Sequence, residues 1–253
     1  MTGFNLFLII MAATALIVWV CLYFVDAGYG KFYNPKWGPA VGNRLGWVLM
    51  EAPVFVLMLL LWALSDRKAD PVRLCFLLLF EAHYFQRSFI FPLLIRGRGK
   101  MPLSIMLMAV IFNSLNALMQ GGWIFHVSPE TMYQTSWFCD WRFILGTAVF
   151  VAGMAVNIHS DYVIRHLRKP GDTAHYLPEK GMFRYVTSAN YFGEFMEWTG
   201  FALLTWSWSG AVFALWTFAN LAPRASRIYK RYQQEFPGRI DTHRVKRIIP
   251  FIY

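Results

Sequence analysis

The chain has 253 residues, of which 57% are hydrophobic and only 15% are charged, and it carries a formal net charge of +10. A soluble domain usually contains about 25% charged residues, so this composition excludes an ordinary water-soluble protein and predicts an integral membrane protein. The three cysteines have no CxxC spacing, and the sequence contains no Walker loop and no Rossmann glycine motif. These absences disfavour a disulfide scaffold, a cysteine-based metal site and a Rossmann nucleotide-binding domain.

Charge-poor segments of about 20 residues, the length that crosses the hydrocarbon core, recur along the chain. They predict an all-α, polytopic fold of seven transmembrane helices in one membrane-embedded domain, residues 1–253. The first helix begins without a basic residue and is interpreted as a retained anchor, not a signal peptide. The sequence WSWSG at 206–210 predicts a tight turn, and the last helix is expected to continue past Arg224. The predicted spans are 4–25, 45–65, 72–94, 102–126, 141–163, 189–206 and 209–223.

Basic residues are distributed unevenly between the loops. Most of the 24 Lys and Arg residues lie in 27–44, 95–101, 164–188 and 224–253. These segments follow the first, third, fifth and seventh predicted spans, so they lie on the same side of the membrane. Because Lys and Arg are retained on the cytoplasmic side, we predict an N-terminus outside or in the lumen and a cytoplasmic C-terminus. The host membrane, a bacterial inner membrane or an endoplasmic reticulum, is left open.

The basic face has two interpretations. Three segments, IRGRGK at 95–100, RHLRKPGD at 165–172 and PRASRIYKRY at 223–232, supply Arg side chains that can hold phosphate in a bidentate manner. Binding of anionic lipid headgroups is the simpler alternative. Nucleic acid is not expected as a partner, because the clusters abut the membrane.

Polar residues recur at intervals of three, four or seven within single predicted helices, so each set lies on one helix face. Lipid cannot satisfy such groups, and these faces are expected to turn inward. The amides of the fourth helix are most simply explained as interhelical hydrogen bonds, worth about 0.6–2 kcal/mol each. Carboxylates within spans must be paired or protonated, which favours a functional site. The sets are Asn113, Asn116 and Gln120; Asn157 and Asp161; and Asn190, Glu194 and Glu197. We see no metal-ligand spacing and expect no metal.

Six stretches, collinear from about residue 28 to the end, carry a specific resemblance to a known family. They are GYGKF (28–32), MEAPVF (50–55), EAHYFQRSFIFPLLIRGRG (81–99), NIHSDYVIRHLRKPGD (157–172), YVTSANYFGEFMEW (185–198) and IIPFIY (248–253). On these motifs the chain resembles the steroid 5-alpha-reductase family. The resemblance implies a seven-helix membrane enzyme that uses NADPH to reduce a conjugated C=C bond next to a ketone. In the steroid branch this is the Δ4 bond of a 3-oxosteroid.

The resemblance also implies residue roles. Glu51 and Tyr84 match the pair placed at the substrate ketone, and Trp198 matches an aromatic residue near the nicotinamide and the substrate. The matches to the cofactor pocket are Tyr29, Arg98, Asn157, Asp161, Arg168, Asn190, Glu194, Arg224 and Tyr232. Positions 95, 107–108 and 174–178 depart from the mammalian pattern, which bears on cofactor affinity, substrate preference and inhibitor response.

The implied chemistry delivers hydride to C5 and a proton to C4 of a 3-oxo-Δ4-steroid. Tyr84 can donate a hydrogen bond to the ketone; Glu51 can donate if it is protonated, or it can orient Tyr84. Water is the expected source of the C4 proton. We expect a monomer whose partners are membrane lipid and an apolar enone.

Three other functions are compatible with parts of the pattern. The first is a related reductase that acts on a polyprenol or an enoyl thioester, which would differ only in the apolar pocket. The second is an isoprenylcysteine-type membrane methyltransferase, which the motifs NIHSDY and HYFQRSF disfavour. The third is a transporter or lipid-binding protein, which would leave the GYGKF and RGRGK segments unexplained.

Overall fold

The computed structural model describes residues 2–25, 28, 33–97, 99–169, 172 and 174–253. Helices dominate this part of the chain, in agreement with the predicted all-α class. They are α1 (Gly3–Phe24), α2 (Asn43–Ala63), α3 (Pro71–Phe85), α4 (Phe91–Leu94), α5 (Leu103–Gly121), α6 (Trp141–Arg165), α7 (Ala189–Thr205) and α8 (Trp208–Glu235). Two π-helical turns extend them, Gln86–Ile90 between α3 and α4 and Gly122–Val127 after α5.

All seven predicted helical segments fall on observed helices, so their positions are confirmed. The predicted segment 72–94 consists of α3, the first π-helical turn and α4. Asp70 is the N-cap of α3, and Pro71 is in the first turn. The Asp70 carboxylate accepts hydrogen bonds from the amides of Val72 and Arg73 at 3.0 and 3.1 Å. A carboxylate cap followed by proline is a strong helix start, because the cap satisfies amides that have no intrahelical partner.

The predicted turn at 206–210 is also confirmed. Trp206 ends α7 in a left-handed conformation with a φ of 45°. Ser207 then caps α8, and its hydroxyl accepts a hydrogen bond from the Gly210 amide at 3.0 Å. α8 continues to Glu235, which confirms the predicted extension beyond Arg224.

Four segments of the described chain are long and apolar enough to cross a membrane: Gly3–Phe24, Asn43–Ala63, Leu103–Val127 and Trp141–Arg165. They support an integral membrane protein, because each is at least 21 residues long and a span needs about 20 residues. α7 has only 17 residues. The count of seven spans and the orientation of the termini stay predictions.

The sequence did not predict the short antiparallel pairing of β1 (Ala40–Gly42) with β2 (Lys100–Pro102). Val41 lies opposite Met101 in this ladder. Three-residue strands carry too little alternation to stand out from loop sequence.

The described residues pack as two compact units. The first comprises residues 1–8 and 25–143, and in it α5 and α3 both pack against α2. Arg73, a buried cation of α3, contacts the second π-helical turn and the loop after it. The residue is only 1% exposed and donates to the carbonyls of Ile124 and Pro129 at 2.8 and 3.2 Å. Arg73 also pairs with Asp70 and lies 5.0 Å from the centre of the Tyr133 ring.

The second unit comprises residues 9–24 and 144–253. Within it α6 and α7 approach to near contact of their backbones. A Cβ atom at Gly153 would lie 2.4 Å from the backbone nitrogen of Glu197, and one at Gly193 would lie 2.4 Å from that of Asn157. Gly146 and Gly200 continue this glycine seam. Small residues permit such close packing of membrane helices, and here they bring the polar end of α6 against the start of α7.

Candidate active site

Glu51 lies on α2 two residues before Pro53, which stands inside the helix. Because proline has no amide hydrogen, the Leu49 carbonyl loses its intrahelical donor. The Asn113 side chain of α5 bonds the next carbonyl along α2, since its Nδ2 donates to the Met50 carbonyl at 2.7 Å. The same nitrogen donates to Glu51 Oε2 at 3.1 Å. Asn113 of α5 therefore contacts both the backbone of α2 and the Glu51 side chain, and it holds Glu51 against α5.

Tyr84 lies on α3 and is buried, with 3% exposure. Asn116 of α5 donates from Nδ2 to the Tyr84 hydroxyl oxygen at 2.9 Å. Gln120, one turn further along α5, donates to Asn116 Oδ1 at 3.4 Å. The Tyr84 ring also contacts Phe80 and His83, with centroid distances of 4.7 and 4.9 Å.

The two residues implied at the ketone are thus connected through one helix. Their partners, Asn113 and Asn116, are three positions apart on α5, about one helical turn. The structure therefore brings Glu51 and Tyr84 to the same face of α5. The sequence predicts only interhelical hydrogen bonds for the three amides of this face, Asn113, Asn116 and Gln120. Their helical spacing shows that they share a face, but it does not show that this face meets Glu51 and Tyr84.

The cofactor residues implied by the resemblance include a group that meets within the second unit. Asn157, 2% exposed, donates from Nδ2 to the backbone carbonyl of Asn190 at 2.9 Å. Asn190 Nδ2 donates to Asp161 Oδ1 at 3.3 Å. Glu194 follows one turn after Asn190 on α7. The end of α6 and the start of α7 therefore form one polar cluster.

Tyr232 lies in the part of α8 beyond the predicted span. Burial raises the pKa of Tyr232 to about 12; Glu235 adds to the increase, and Arg231 and Arg168 oppose it. Tyr232 therefore keeps its proton at physiological pH and can donate a hydrogen bond. Arg168 and Tyr232, both implied in cofactor binding, are therefore electrostatically coupled.

Other basic residues of α8 have partners within the chain. Arg227 donates to the Leu22 carbonyl at 2.7 Å, and Arg231 forms an ion pair with Glu235 at 2.6 Å. Arg224, the remaining member of this helical face, is half-buried. The three arginines at 224, 227 and 231 therefore do not form one uniform basic surface.

Trp198 is buried among aromatic side chains of the second unit. Trp198 is 1% exposed, and its ring packs against Phe213 at 4.5 Å, with Phe150 and Phe201 also in contact. Its role near the substrate stays a prediction. Tyr29 and Arg98 lie outside the described residues.

The stretch 174–178 makes contacts that the sequence did not predict. The Tyr176 hydroxyl donates to Asp172 Oδ2 at 2.8 Å, and His175 Nδ1 lies 3.3 Å from Glu235 Oε1. The His175–Glu235 contact connects the loop after α6 to the end of α8. Within the described part of the chain, no group of three or more His, Cys, Asp or Glu side chains could hold a metal ion.

Comparisons with known proteins identify the class of enzyme. A family model described as 3-oxo-5-alpha-steroid 4-dehydrogenase matches residues 99–253. A steroid 5-alpha-reductase from Gossypium hirsutum is 39% identical over 257 residues, covering 100% of this chain and 98% of the relative. The 3-oxo-5-alpha-steroid 4-dehydrogenase 1 of Homo sapiens is 39% identical over 227 residues, covering 89% of this chain and 86% of the relative.

The names of these relatives define a class of oxidoreductases, and the apolar helices agree with a membrane-embedded member of it. The chain belongs to the 3-oxo-5-alpha-steroid 4-dehydrogenase family.

Proposed function

We propose that this protein reduces the C4=C5 double bond of a 3-oxo-Δ4-steroid with NADPH and releases a 5-alpha-reduced 3-oxosteroid. Family membership supports a steroid ketone as the substrate, since the relatives are named for this reaction. The observation that carries the proposal is the placement of Glu51 and Tyr84 on one face of α5 by Asn113 and Asn116. Two oxygen-bearing groups that contact the same helix face suit a ketone oxygen.

Glu51 and Tyr84 are proposed to stabilise the negative charge that develops on the substrate ketone. When bound, NADPH supplies the hydride that is added to C5, and a proton must then be added to C4. As C5 gains the hydride, negative charge grows on the ketone oxygen. A hydrogen-bond donor aimed at such an oxygen is worth about 3–4 kcal/mol in comparable sites. Tyr84 supplies one donor, and protonated Glu51 supplies a second or orients the first. Water is the proposed source of the C4 proton.

The polar cluster at α6 and α7 fits a cofactor rich in hydroxyl, amide and phosphate groups. Asn157, Asp161 and Asn190 offer both donors and acceptors in a small volume. Tyr232 offers a proton-bearing hydroxyl, and Arg168 is an exposed cation. Tyr29, Glu194, Arg98 and Arg224 are proposed to complete the set.

The proposed route of each ligand follows from its polarity. The charged cofactor is proposed to reach the protein from the cytoplasm, where the basic loops are predicted to lie. The apolar steroid is proposed to arrive from the lipid phase, and the enzyme is proposed to work as a monomer in its membrane.

The test is turnover by purified protein in detergent or lipid, with NADPH and either testosterone or progesterone. Loss of NADPH absorbance and a product heavier by two mass units are expected, and Tyr84→Phe serves as the matched control. Parallel reactions with a polyprenol, an enoyl thioester or S-adenosylmethionine plus prenylcysteine test the related reductases and the methyltransferase. Turnover of one of these without steroid turnover would overturn the proposal.

A further inference from the structure

We propose that Asn113 and Asn116 are positioning residues that fix Glu51 and Tyr84 as hydrogen-bond donors toward the substrate ketone. The inference rests on the proposed function, because it assigns these amides to the same reaction. Both side chains are well buried, with 6% exposure for Asn113 and none for Asn116. Burial holds each amide in a fixed environment, so the orientation of each amide has a chemical consequence.

The orientation of the Asn113 amide follows from the Met50 carbonyl. A backbone carbonyl can only accept, so the group 2.7 Å from it must be the Asn113 nitrogen. That nitrogen is also the atom 3.1 Å from Glu51 Oε2. Oε2 is therefore an acceptor in this bond, and because the carbonyl-type oxygen of a carboxyl is the better acceptor, the bond favours Oε1 as the oxygen that carries a proton. Asn113 thus favours Oε1 as the donor oxygen of Glu51.

Asn116 has the corresponding effect on Tyr84. A tyrosine hydroxyl has one hydrogen, and it accepts hydrogen bonds through its lone pairs. Because Asn116 donates to this oxygen at 2.9 Å, the Tyr84 hydrogen is directed to a different acceptor. Gln120 donates to Asn116 Oδ1 at 3.4 Å. A hydroxyl that accepts one hydrogen bond is also polarised into a stronger donor.

The decisive variant is Asn116→Asp, which keeps the shape but replaces the donor by an acceptor when it is ionised. Its carboxylate would capture the Tyr84 hydrogen, and we expect kcat to fall by roughly tenfold or more, with little change in NADPH affinity. Lowering the pH protonates the new carboxyl and restores a donor. The kcat ratio of wild type to variant should therefore shrink as the pH falls. Loss of packing alone would produce no such pH dependence.

Asn113→Leu supplies an independent test, because it keeps a similar volume and removes the donor to Glu51. We expect a roughly tenfold lower kcat and strong non-additivity when it is combined with Glu51→Gln. Asn116→Asp should likewise cost little further turnover in a Tyr84→Phe background. The control is Ser114→Ala on the same helix, since the Ser114 hydroxyl donates to the Val110 carbonyl of its own helix. This control should retain wild-type kcat.

Each measurement includes Tm, NADPH affinity, and kcat and KM for the steroid. Wild-type kcat in both asparagine variants would overturn the inference while leaving the proposed function intact. The inference is equally wrong if both variants lose NADPH binding and stability together with turnover, or if Asn116→Asp lowers kcat by a ratio that stays the same at every pH. Absence of steroid turnover in the wild type would refute the proposed function, and this inference would fall with it.

Discussion

The side-chain amide of Asn157 on α6 donates to the backbone carbonyl of Asn190 on α7 over a distance of 2.9 Å. The Asn190 side chain in turn donates to Asp161, one turn after Asn157 on α6. The two helices thus exchange hydrogen bonds in both directions next to the glycine seam. A change at one member of this cluster should therefore be felt by the others.

Asp161→Ala should weaken NADPH binding by about tenfold or more, equivalent to about 1.4 kcal/mol. The substitution removes the acceptor for Asn190 and a group proposed to bond the cofactor. Binding is measured by titration with NADPH, and Tm is measured in parallel. The matched control is Ser160→Ala, because the buried Ser160 hydroxyl makes no hydrogen bond within the described chain. An Asp161→Ala protein that folds and keeps wild-type affinity would show that Asp161 has no cofactor role.

Cofactor preference provides a second prediction. The 2′-phosphate of NADPH adds negative charge, and Arg side chains can bind it in a bidentate manner. We expect NADPH to bind at least about tenfold more tightly than NADH, a difference of about 1.4 kcal/mol. Competition titrations of the two reduced cofactors measure this ratio. Equal affinities would mean that the basic loops serve topology or lipid headgroups instead.

The glycine seam should tolerate no side chain. In Gly193→Ala the new Cβ atom would meet the backbone of Asn157 at 2.4 Å, so α6 and α7 must separate. We expect a loss of about 1–3 kcal/mol in the free energy of unfolding, together with weaker NADPH binding. Gly153→Ala should act similarly through the Glu197 backbone. Gly3→Ala is the control, because nothing lies within 4 Å of its Cβ position; equal Tm values for the seam variants and this control would contradict the prediction.

The C-terminal segment should support the same cluster. Lys246 exchanges backbone hydrogen bonds with Tyr185 and Thr187, at 2.8 and 2.9 Å, immediately before α7 begins. Ile248 is completely buried. Removing residues 246–253 should therefore lower Tm and weaken NADPH binding through displacement of Asn190.

An exposed residue of the same segment provides the control. Ile252 is 78% exposed, and Ile252→Ser should leave NADPH affinity unchanged. Truncated protein with full NADPH affinity would show that the pairing of Lys246 has no influence on α7.

The pair Glu51 and Tyr84 should behave as one unit. Tyr84→Phe removes a direct donor, and Glu51→Gln loses the carboxyl; each should lower kcat by roughly 10²–10³ with near-normal NADPH affinity. The double variant should be little worse than either single variant. Steady-state kinetics with a 3-oxo-Δ4-steroid measure these effects. A stable Tyr84→Phe enzyme with wild-type kcat would remove the catalytic assignment.

Local sequence was sufficient for the membrane class and for the positions of the helices. Hydropathy over about 20 residues is a property of the segment itself, and so is the break at WSWSG, residues 206–210. The motif around Asn157 and the motif around Asn190 could also be recognised separately. Neither required knowledge of what packs against it.

Only the tertiary structure decided which polar groups meet. The spacing of Asn113 and Asn116 predicted a shared helix face, but not that one contacts Glu51 and the other Tyr84. Those contacts depend on how α2 and α3 pack against α5, and the exchange between Asn157 and Asn190 depends on backbone approach at the glycine seam. Such relationships join residues more than 30 positions apart, and hydrophobic periodicity within one helix carries no information about the identity of its neighbour.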